Sequence, residues 1–581
     1  MTNSEIVDLL DLTARLLELH DHDAFRVRAF QTAAFNLDKA AEDLTALSAA
    51  ELTKLPGVGK SVANRIREIA ETGHMQELDD LLAQTPPGIL DMFRIKGLGV
   101  KKIKTIWRER GIDTLHDLQR AAEAGDIATI KGFGEKIQAQ ILQALAFMQR
   151  QSGKVRMDKA AMIAGLLKDE LSRQGNRVEI GGQVRLSAQE VDTVELLVES
   201  DDPLRIMQEI NTLTSLHQDE AESSPFRWRG RLEGFDVAID ISTYPRETLD
   251  RQLFIRSAPE NHLNQSGTSG QTLLKTALTT PFSDEKALYA RTGLPFIVPE
   301  MRENDRAFSW AERHSADDLI TWDDLRGTLH NHSTWSDGKH TLDQMATFCQ
   351  ELGLSYFGIA DHSQTASYAS GLSPGRVRQQ LAEIDALNAR YGDTRYGGTF
   401  RILKGIESDI LSDGSLDYDD DTLALFDYVV ASVHQTLTMS EEKATARLIR
   451  AIENPYTTIL GHPTGRLLLA REGYPIDYRA VIDACAAHGV IIELNASPYR
   501  LDLDWRWIDY AMEQGVKLSI NPDAHNTAGL LDMHYGVAVA RKGGLTKDMT
   551  FNALPLPDML TYLDGRKQRL TSRSSAAAGT P

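Results

Sequence analysis

The chain has 581 residues, with 83 Asp and Glu against 63 Lys and Arg, a formal net charge of −20 at pH 7. That length predicts several domains, and the acidic balance excludes bulk charge as a means of gripping a polyanion, so nucleic-acid binding would need a local basic surface. Two cysteines, Cys349 and Cys485, exclude a disulfide framework and suit a reducing cytoplasm; neither a signal-like start nor an apolar run long enough to span a bilayer is present.

Residues 1–82 read as a small helical domain, with apolar residues at helical spacing from Ile6 to Leu17. It ends in LPGVGKSVANRIREIAETG, where Gly57 and Gly59 bracket an apolar residue and Lys60 opens an amphipathic helix. The pattern returns twice in 83–153, as IKGLGVKKIKTI with Gly97 and Gly99 and as IKGFGEKIQAQIL with Gly132, Gly134 and Lys136. A glycine turn followed by a helix lets backbone approach a phosphate, which then meets free N–H groups and the positive end of the helix dipole. One such turn is weak evidence; three copies point to helix-hairpin-helix clamps on DNA backbone. The second copy carries the charge, with Arg94, Lys96, Lys101, Lys102, Lys104, Arg108 and Arg110 against Glu109.

Residues 154–244 read as mixed α and β: a strand, turn and strand over Asn176–Ser200, and another strand in GFDVAIDIST. Residues 245–318 form a polar, loop-containing stretch that leaves through TGLPFIVPEMRE. AFRVRAFQTAA, LPGVGK, IKGLGVKKIK and TGLPFIVPEMRE resemble a bacterial family X DNA polymerase, which implies a small helical domain, fingers, a nucleotidyltransferase-like palm and a thumb. The family palm carries Gly-Ser, two arginines and Asp-x-Asp; this chain has Gly182-Gln183, Arg185-Leu186 and Thr193-Val194-Glu195, with Asp240 at the third carboxylate. Two-metal nucleotidyl transfer needs carboxylates on one strand face for Mg²⁺ or Mn²⁺. Strand alternation puts 193 and 195 together and Asp192 on the other face. The expectation is a crippled polymerase site in which Glu195 and Asp240 are the residual carboxylates and dNTP use is impaired. Arg65 stands where lyase-active relatives have a Schiff-base lysine, and a guanidinium cannot act as that nucleophile.

From 319 to 570, strand-like runs alternate with amphipathic ones, as a parallel α/β barrel requires. His330 and His332 sit two apart on an extended segment and so share a face. Asp337, His362, Glu407, His434, His462, Asp523 and His525 follow, each placed by the apolar runs at the end of a strand. Nine ligand-type residues at corresponding positions are hard to explain as scattered core or surface residues. They resemble the PHP (polymerase and histidinol phosphatase) family, which implies a distorted barrel with three metals. The resemblance gives His330, His332 and Asp523 to one metal with Glu407 bridging, His434 and His462 to the second, and Asp337, His362 and His525 to the third. It also departs at Thr328, where the family often has Asp. Mixed imidazole and carboxylate ligation suits Mn²⁺, Zn²⁺ or Fe²⁺. Such ions activate water and neutralise phosphate charge, with Glu407 and Asp523 at the reacting centre and Arg466, in HPTGR, as the expected phosphate clamp.

The expectation is therefore a multidomain chain: an α-helical helix-hairpin-helix region, a mixed α+β palm, a distorted α/β barrel, and a small polar tail, 571–581, without structure. Its function is expected to be that of a cytoplasmic, nucleoid-associated DNA-repair nuclease acting on gapped, nicked or damaged ends; the resemblance supplies the 3′-5′ polarity and abasic-site cleavage. The rivals are an active gap-filling polymerase with an accessory nuclease, a small-molecule phosphatase of the histidinol-phosphate type, and a scaffold without activity.

Overall fold

A computed structural model describes residues 1–38, 40, 42–95, 97–392 and 400–578; Lys96 of the basic stretch lies outside them. The chain divides into two compact units, Met1–Ser152 and Gly153–Pro581.

The first unit is helical and has its own apolar core, from Ile6, Leu10 and Phe30 through Ile66 and Ile103 to Leu145. Each glycine motif precedes a helix: Lys60–Thr72, Val100–Arg110 and Gly134–Gln151. Gly57, Gly97 and Gly132 have φ of 75°, 85° and 89°, the left-handed region where a Cβ is costly. Val58, Leu98 and Phe133 turn inward and anchor the turns, while the glycines either side stay exposed. Gly57 serves packing as well, since a Cβ there would lie 2.4 Å from Asn36 Nδ2.

The second unit begins with a mixed sheet. Its strands are β1 (Val155–Arg156), β2 (Val178–Ile180), β3 (Glu190–Val191), β4 (Thr193–Glu199), β5 (Leu216–Gln218), β6 (Arg227–Leu232) and β7 (Ala238–Tyr244). β1 and β3 pair as a separate ribbon, and the main sheet runs β2-β4-β7-β6-β5. The segment expected to be a turn between β2 and β4 contains a short helix, Gly182–Arg185, started by Gly181 and Gly182. Parallel register sets Glu195 opposite Asp240. Short helices over 246–311 then lead to the barrel around a core that includes Phe254, Tyr289 and Trp310.

The barrel has β8 (Gly327–Thr328), β9 (Tyr356–Gly358), β10 (Arg401–Leu403), β11 (Gly405–Asp409), β12 (Tyr428–Ser432), β13 (Ile459–Leu460), β14 (Ile491–Asn495) and β15 (Leu518–Asn521). All neighbours are parallel, in sheets β10-β9-β8 and β11-β12-β13-β14-β15. Two isolated bridges join them into a ring, His362 with Glu407 and Asn331 with Ala524, so ligand-type residues sit at both seams. Alternation along the strands sorts side chains. Val429, Ala431, Ile492 and Leu494 belong to the core that includes the helices, whereas Tyr428, Val430 and Ile491 fill the other face with Phe551, Met559 and Leu563. The last helix, Leu556–Ala578, contributes two of those residues and runs through most of the stretch expected to be an unstructured tail; residues 579–581 lie outside the described residues. No helix among the described residues is long and apolar enough to cross a membrane.

Candidate metal centre and nucleic-acid elements

β11 places Glu407 and Asp409 two residues apart, on the same face, at the strand's C-terminal end. Glu407 is 1% exposed and is the hub of the site. Its Oε1 lies 3.2 Å from His330 Nε2, 3.2 Å from His434 Nε2 and 3.1 Å from His462 Nε2, and its Oε2 lies 2.9 Å from His362 Nδ1. Asp523 Oδ1 is 3.0 Å from His332 Nε2. Asp337 Oδ2 lies 3.4 Å from His525 Nε2 and 3.7 Å from His362 Nε2. The nine residues singled out in the sequence are thus brought to one end of the ring. Distances group them as His332, Asp337, His362 and His525; His330, His462 and Asp523; His330, His332 and Glu407; and His362, Glu407 and His434. This differs from the expected partition, because His332 spans two groups and His462 joins Asp523.

Divalent metals fit this donor set. His330 Nε2, His332 Nδ1, His362 Nδ1 and Glu407 Oε2 are buried, yet among the described residues no hydrogen bond reaches them. Lone pairs that converge without bonding one another are costly unless a cation sits between them. Two ligand positions also bear backbone strain: His462 and Asp523 have φ of 37° and 56°, as residues over-determined by a site often do.

The metal-free electrostatics follow from burial opposed by neighbours. Burial pushes the Glu407 carboxyl up, but the His434, His330 and His362 imidazoles outweigh it and hold it well below the usual range. Burial likewise raises Asp523, and His330, His332 and Arg500 overcome it. Burial lowers His434, yet Glu407 and Asp409 push it up to about 10. His525 reaches about 9 against burial, through Asp337 and Asp523. His332, buried and beside His525 and His362, falls to about 3.

Several residues of the site went unnoticed in the sequence. Glu493 Oε1 lies 2.7 Å from His330 Nδ1, and Asp409 Oδ1 lies 2.6 Å from His434 Nδ1, so each carboxylate orients an imidazole. The buried Asp361 accepts hydrogen bonds from Ser333 N–H at 2.8 Å and Gln380 Nε2 at 2.6 Å, tying the His332 segment to β9. Their signal was strand position, two residues before Asn495 and two after Glu407, but only the side-chain directions distinguish a ligand from its support. Thr328, at the family's Asp position, is buried and accepts a bond from Asn331 Nδ2 at 3.2 Å.

Arg466 is not free to clamp a phosphate. Its Nε and Nη1 donate to Arg500 O at 2.9 Å and Asp504 Oδ2 at 2.8 Å, and its Nη2 donates to Leu501 O. It therefore holds the loop that carries Arg500, whose Nε lies 3.3 Å from Asp523 Oδ2. Arg500, rather than Arg466, thus brings a guanidinium to a carboxylate of the candidate metal centre. Histidines 340 and 534 stay outside: His340 Nδ1 accepts from Thr527 N–H, and His534 stacks on Trp322 at 3.8 Å.

In the mixed sheet, Glu195 and Asp240 meet arginines. Asp240 Oδ2 is bonded by Arg227 Nε at 2.7 Å and approached by Arg229 Nε at 3.3 Å and Arg256 Nη2 at 3.2 Å. Arg256 Nε donates to Glu195 Oε2 at 2.8 Å. Burial raises the Glu195 carboxyl and Arg256 offsets only part of this; for Asp240, burial is outweighed by Arg227 and Arg256. Asp192 is exposed and its Oδ1 accepts from Thr193 Oγ1.

In the helical unit, Lys60, Lys101 and Lys136 are exposed beside their glycine turns. A Cβ added at Gly59, Gly97, Gly99, Gly132 or Gly134 would meet open space, so the turn backbone is accessible from outside. Lys102 Nζ reaches back to Gly97 O at 3.5 Å, and Lys104 is engaged in an ion pair with Asp21. Arg65 is bound by Glu68 and Glu77, at 2.7 and 3.2 Å.

Comparison with known proteins matches a helix-hairpin-helix domain over residues 1–75, a SAM-like helix-hairpin-helix tandem over 89–146 and a PHP domain over 328–497. The DNA polymerase/3′-5′ exonuclease PolX of Bacillus subtilis (strain 168) is 33% identical over 577 residues, covering 97% of this chain and 99% of the relative. A probable phosphatase of Thermoanaerobacter sp. (strain X514) is 30% identical over 29% of this chain and 70% of its own length. One from Shewanella sp. (strain ANA-3) is 29% identical over 28% of this chain and 66% of its own.

Proposed function

Because the chain belongs to the family of the bacterial DNA polymerase/3′-5′ exonuclease PolX, with its helix-hairpin-helix and PHP domains, we propose that it is a DNA-repair nuclease that shortens 3′ ends at its metal centre. The observation that carries this is the convergence of nine ligand-type residues, Glu407 at their hub, with buried ligand-type atoms that no hydrogen bond reaches among the described residues. Divalent ions held there by His330, His332, Asp337, His362, Glu407, His434, His462, Asp523 and His525 would supply an activated water and charge for the phosphate. Mn²⁺, Zn²⁺ and Fe²⁺ suit this ligand mixture. Around them, Glu493 and Asp409 hold the His330 and His434 rings in place, and Arg500 offers a guanidinium to a phosphate oxygen. The exposed glycine turns would grip the duplex backbone at gaps, nicks or damaged ends.

The same reading takes polymerase activity as impaired. Three guanidiniums crowd Asp240, and one of them also binds Glu195. A two-metal site would have to displace these pairs and still lack a carboxylate at Thr193. A phosphatase reading is favoured by the partial relatives, which cover less than a third of this chain; the helix-hairpin-helix domains favour DNA.

The test is gapped DNA with a 5′-labelled primer and Mn²⁺, with and without dNTPs, using the wild type and His330→Ala/His332→Ala. Shortening that the double substitution abolishes is the expected result. Lengthening with dNTPs would overturn the impaired palm. Turnover of a phosphate monoester without any DNA cleavage would replace the nuclease by a phosphatase.

A further inference from the structure

The metal centre is flanked by an exposed aromatic ring that the chemistry above does not use. Tyr368 is 54% exposed, although its ring centroid lies 6.0 Å from that of His362 and 6.4 Å from that of His434. The ring is tilted 60° and 64° to the two imidazoles, so it stacks on neither.

Its loop is rigidly built. Ser363 and Leu372 close the base by a bridge, and Gly371 N–H bonds Ala366 O at 3.0 Å. A Cβ at Gly371 would lie 1.9 Å from Ser363 O, so this tight return admits only glycine. Thr365 donates to Asp417 Oδ2 through its N–H at 2.8 Å and to Asp409 Oδ2 through its Oγ1 at 2.9 Å; Asp409 is the carboxylate that orients His434. Ala366 and Ala369 are buried on either side of the tyrosine. The loop thus spends its apolar contacts on the alanines and presents the ring outward, beside two ligands.

A flat ring fixed next to a phosphate-cleaving centre suits a ligand with its own flat apolar face, one sugar away from the phosphate. We propose that Tyr368 is the stacking platform for a nucleobase of the strand being cut, so that the centre takes single-stranded or frayed 3′ ends. The inference rests on the nuclease reading. Every base has a π-face, so such a platform selects for an unstacked base without reading its identity. A base inside a duplex is already stacked on its neighbours, and would have to fray before reaching the ring.

The test compares wild type, Tyr368→Ala and Tyr368→Phe with Mn²⁺ on a 5′-labelled single-stranded oligonucleotide. A second substrate set carries an abasic residue at each of the last two positions in turn. Tyr368→Ala is expected to raise KM about tenfold, within what stacking contributes per base, with kcat within about threefold. Tyr368→Phe is expected to match the wild type. One abasic position should weaken the wild type by a similar factor and leave Tyr368→Ala unaffected, because either change removes the same stack. An unchanged KM in Tyr368→Ala, with normal shortening by the wild type, overturns the platform alone. A fall in kcat shared by Tyr368→Phe overturns it too, since the hydroxyl and not the ring face would then be at work. If the wild type shortens no DNA, the nuclease reading fails and this inference fails with it. Unchanged Mn²⁺ stoichiometry in both variants verifies that the loop and its ligands are intact.

Discussion

Arg466 and Arg500 differ by what surrounds them rather than by charge. Arg466 has a neighbour for each of its bonded nitrogens in the 500–504 loop, so its work is structural. Arg500 reaches the Asp523 carboxylate of the candidate metal centre. Arg500→Ala is expected to lower kcat/KM about 10²-fold, the scale for losing one positioned donor at a developing charge, with thermal stability unchanged. Arg466→Ala should lower the unfolding midpoint as well as activity, since three hydrogen bonds to the loop go together. Kinetics and thermal melting of the two variants separate these outcomes.

The histidines carry a pH prediction. In the metal-free protein His434 holds its proton to about 10 and His525 to about 9, against an ordinary 6.5. Both folded values are raised, so their proton-linked stabilisation is complete below about pH 6.5 and fades as pH rises through 9 to 10. Metal ligation needs the neutral imidazole, so binding must release those protons. Mn²⁺ affinity should therefore climb from pH 7 to 9, and calorimetry in buffers of different ionisation enthalpy should show proton release. Affinity that is flat with pH and free of proton release would contradict this.

At the scale of elements, the proposed reading makes the glycine turns and the following helices repeated small clamps. Their apolar middle residues are buried, and apart from Gly57, which packs on Asn36, their glycines face open space. In the proposed reading the turns would supply backbone donors, and Lys101 and Lys102 would supply charge that releases counterions. Lys101→Ala/Lys102→Ala is expected to weaken DNA binding at low salt and to reduce the slope of log K against log salt by about one for each phosphate the variant no longer neutralises. Binding titrations at several salt concentrations would measure it; a slope equal to that of the wild type would place the phosphate-binding groups elsewhere. Lys104 is a poorer candidate, because its charge is already paired with Asp21.

At the scale of the whole molecule, a chain of net charge −20 would need local basic turns, rather than net charge, to handle DNA. The unit Met1–Ser152 has its own core, and the barrel and mixed sheet have theirs. A chain starting at Gly153 is therefore expected to hydrolyse a small chromogenic phosphodiester at nearly the full-length rate while its KM for DNA rises at least tenfold. Equal KM values for DNA would show that the helical unit does not grip the substrate.

Sequence alone determined the alternation of strands and helices, the three glycine turns and the nine ligand-type residues, because each rests on local spacing: period two on strands, a glycine at a positive-φ turn, a polar residue ending an apolar run. It also placed Thr193 where the resembled polymerase family carries a carboxylate. Only the tertiary structure decided which side chains meet. Arg466 and Arg500 are 34 residues apart and chemically alike, and nothing in their local sequence says which faces Asp523. Glu493, Asp409 and Asp361 look like any strand-end carboxylates until ring closure sets them behind the histidines. The arginines on Asp240 come from β6 and from the helix Arg246–Arg256, and only sheet register brings them together. Small polar residues from Thr571 onward resemble a disordered tail, yet their helix continues from turns that are packed under the barrel. In each case the deciding quantity is the direction of a side chain across a long-range contact, which local spacing does not encode.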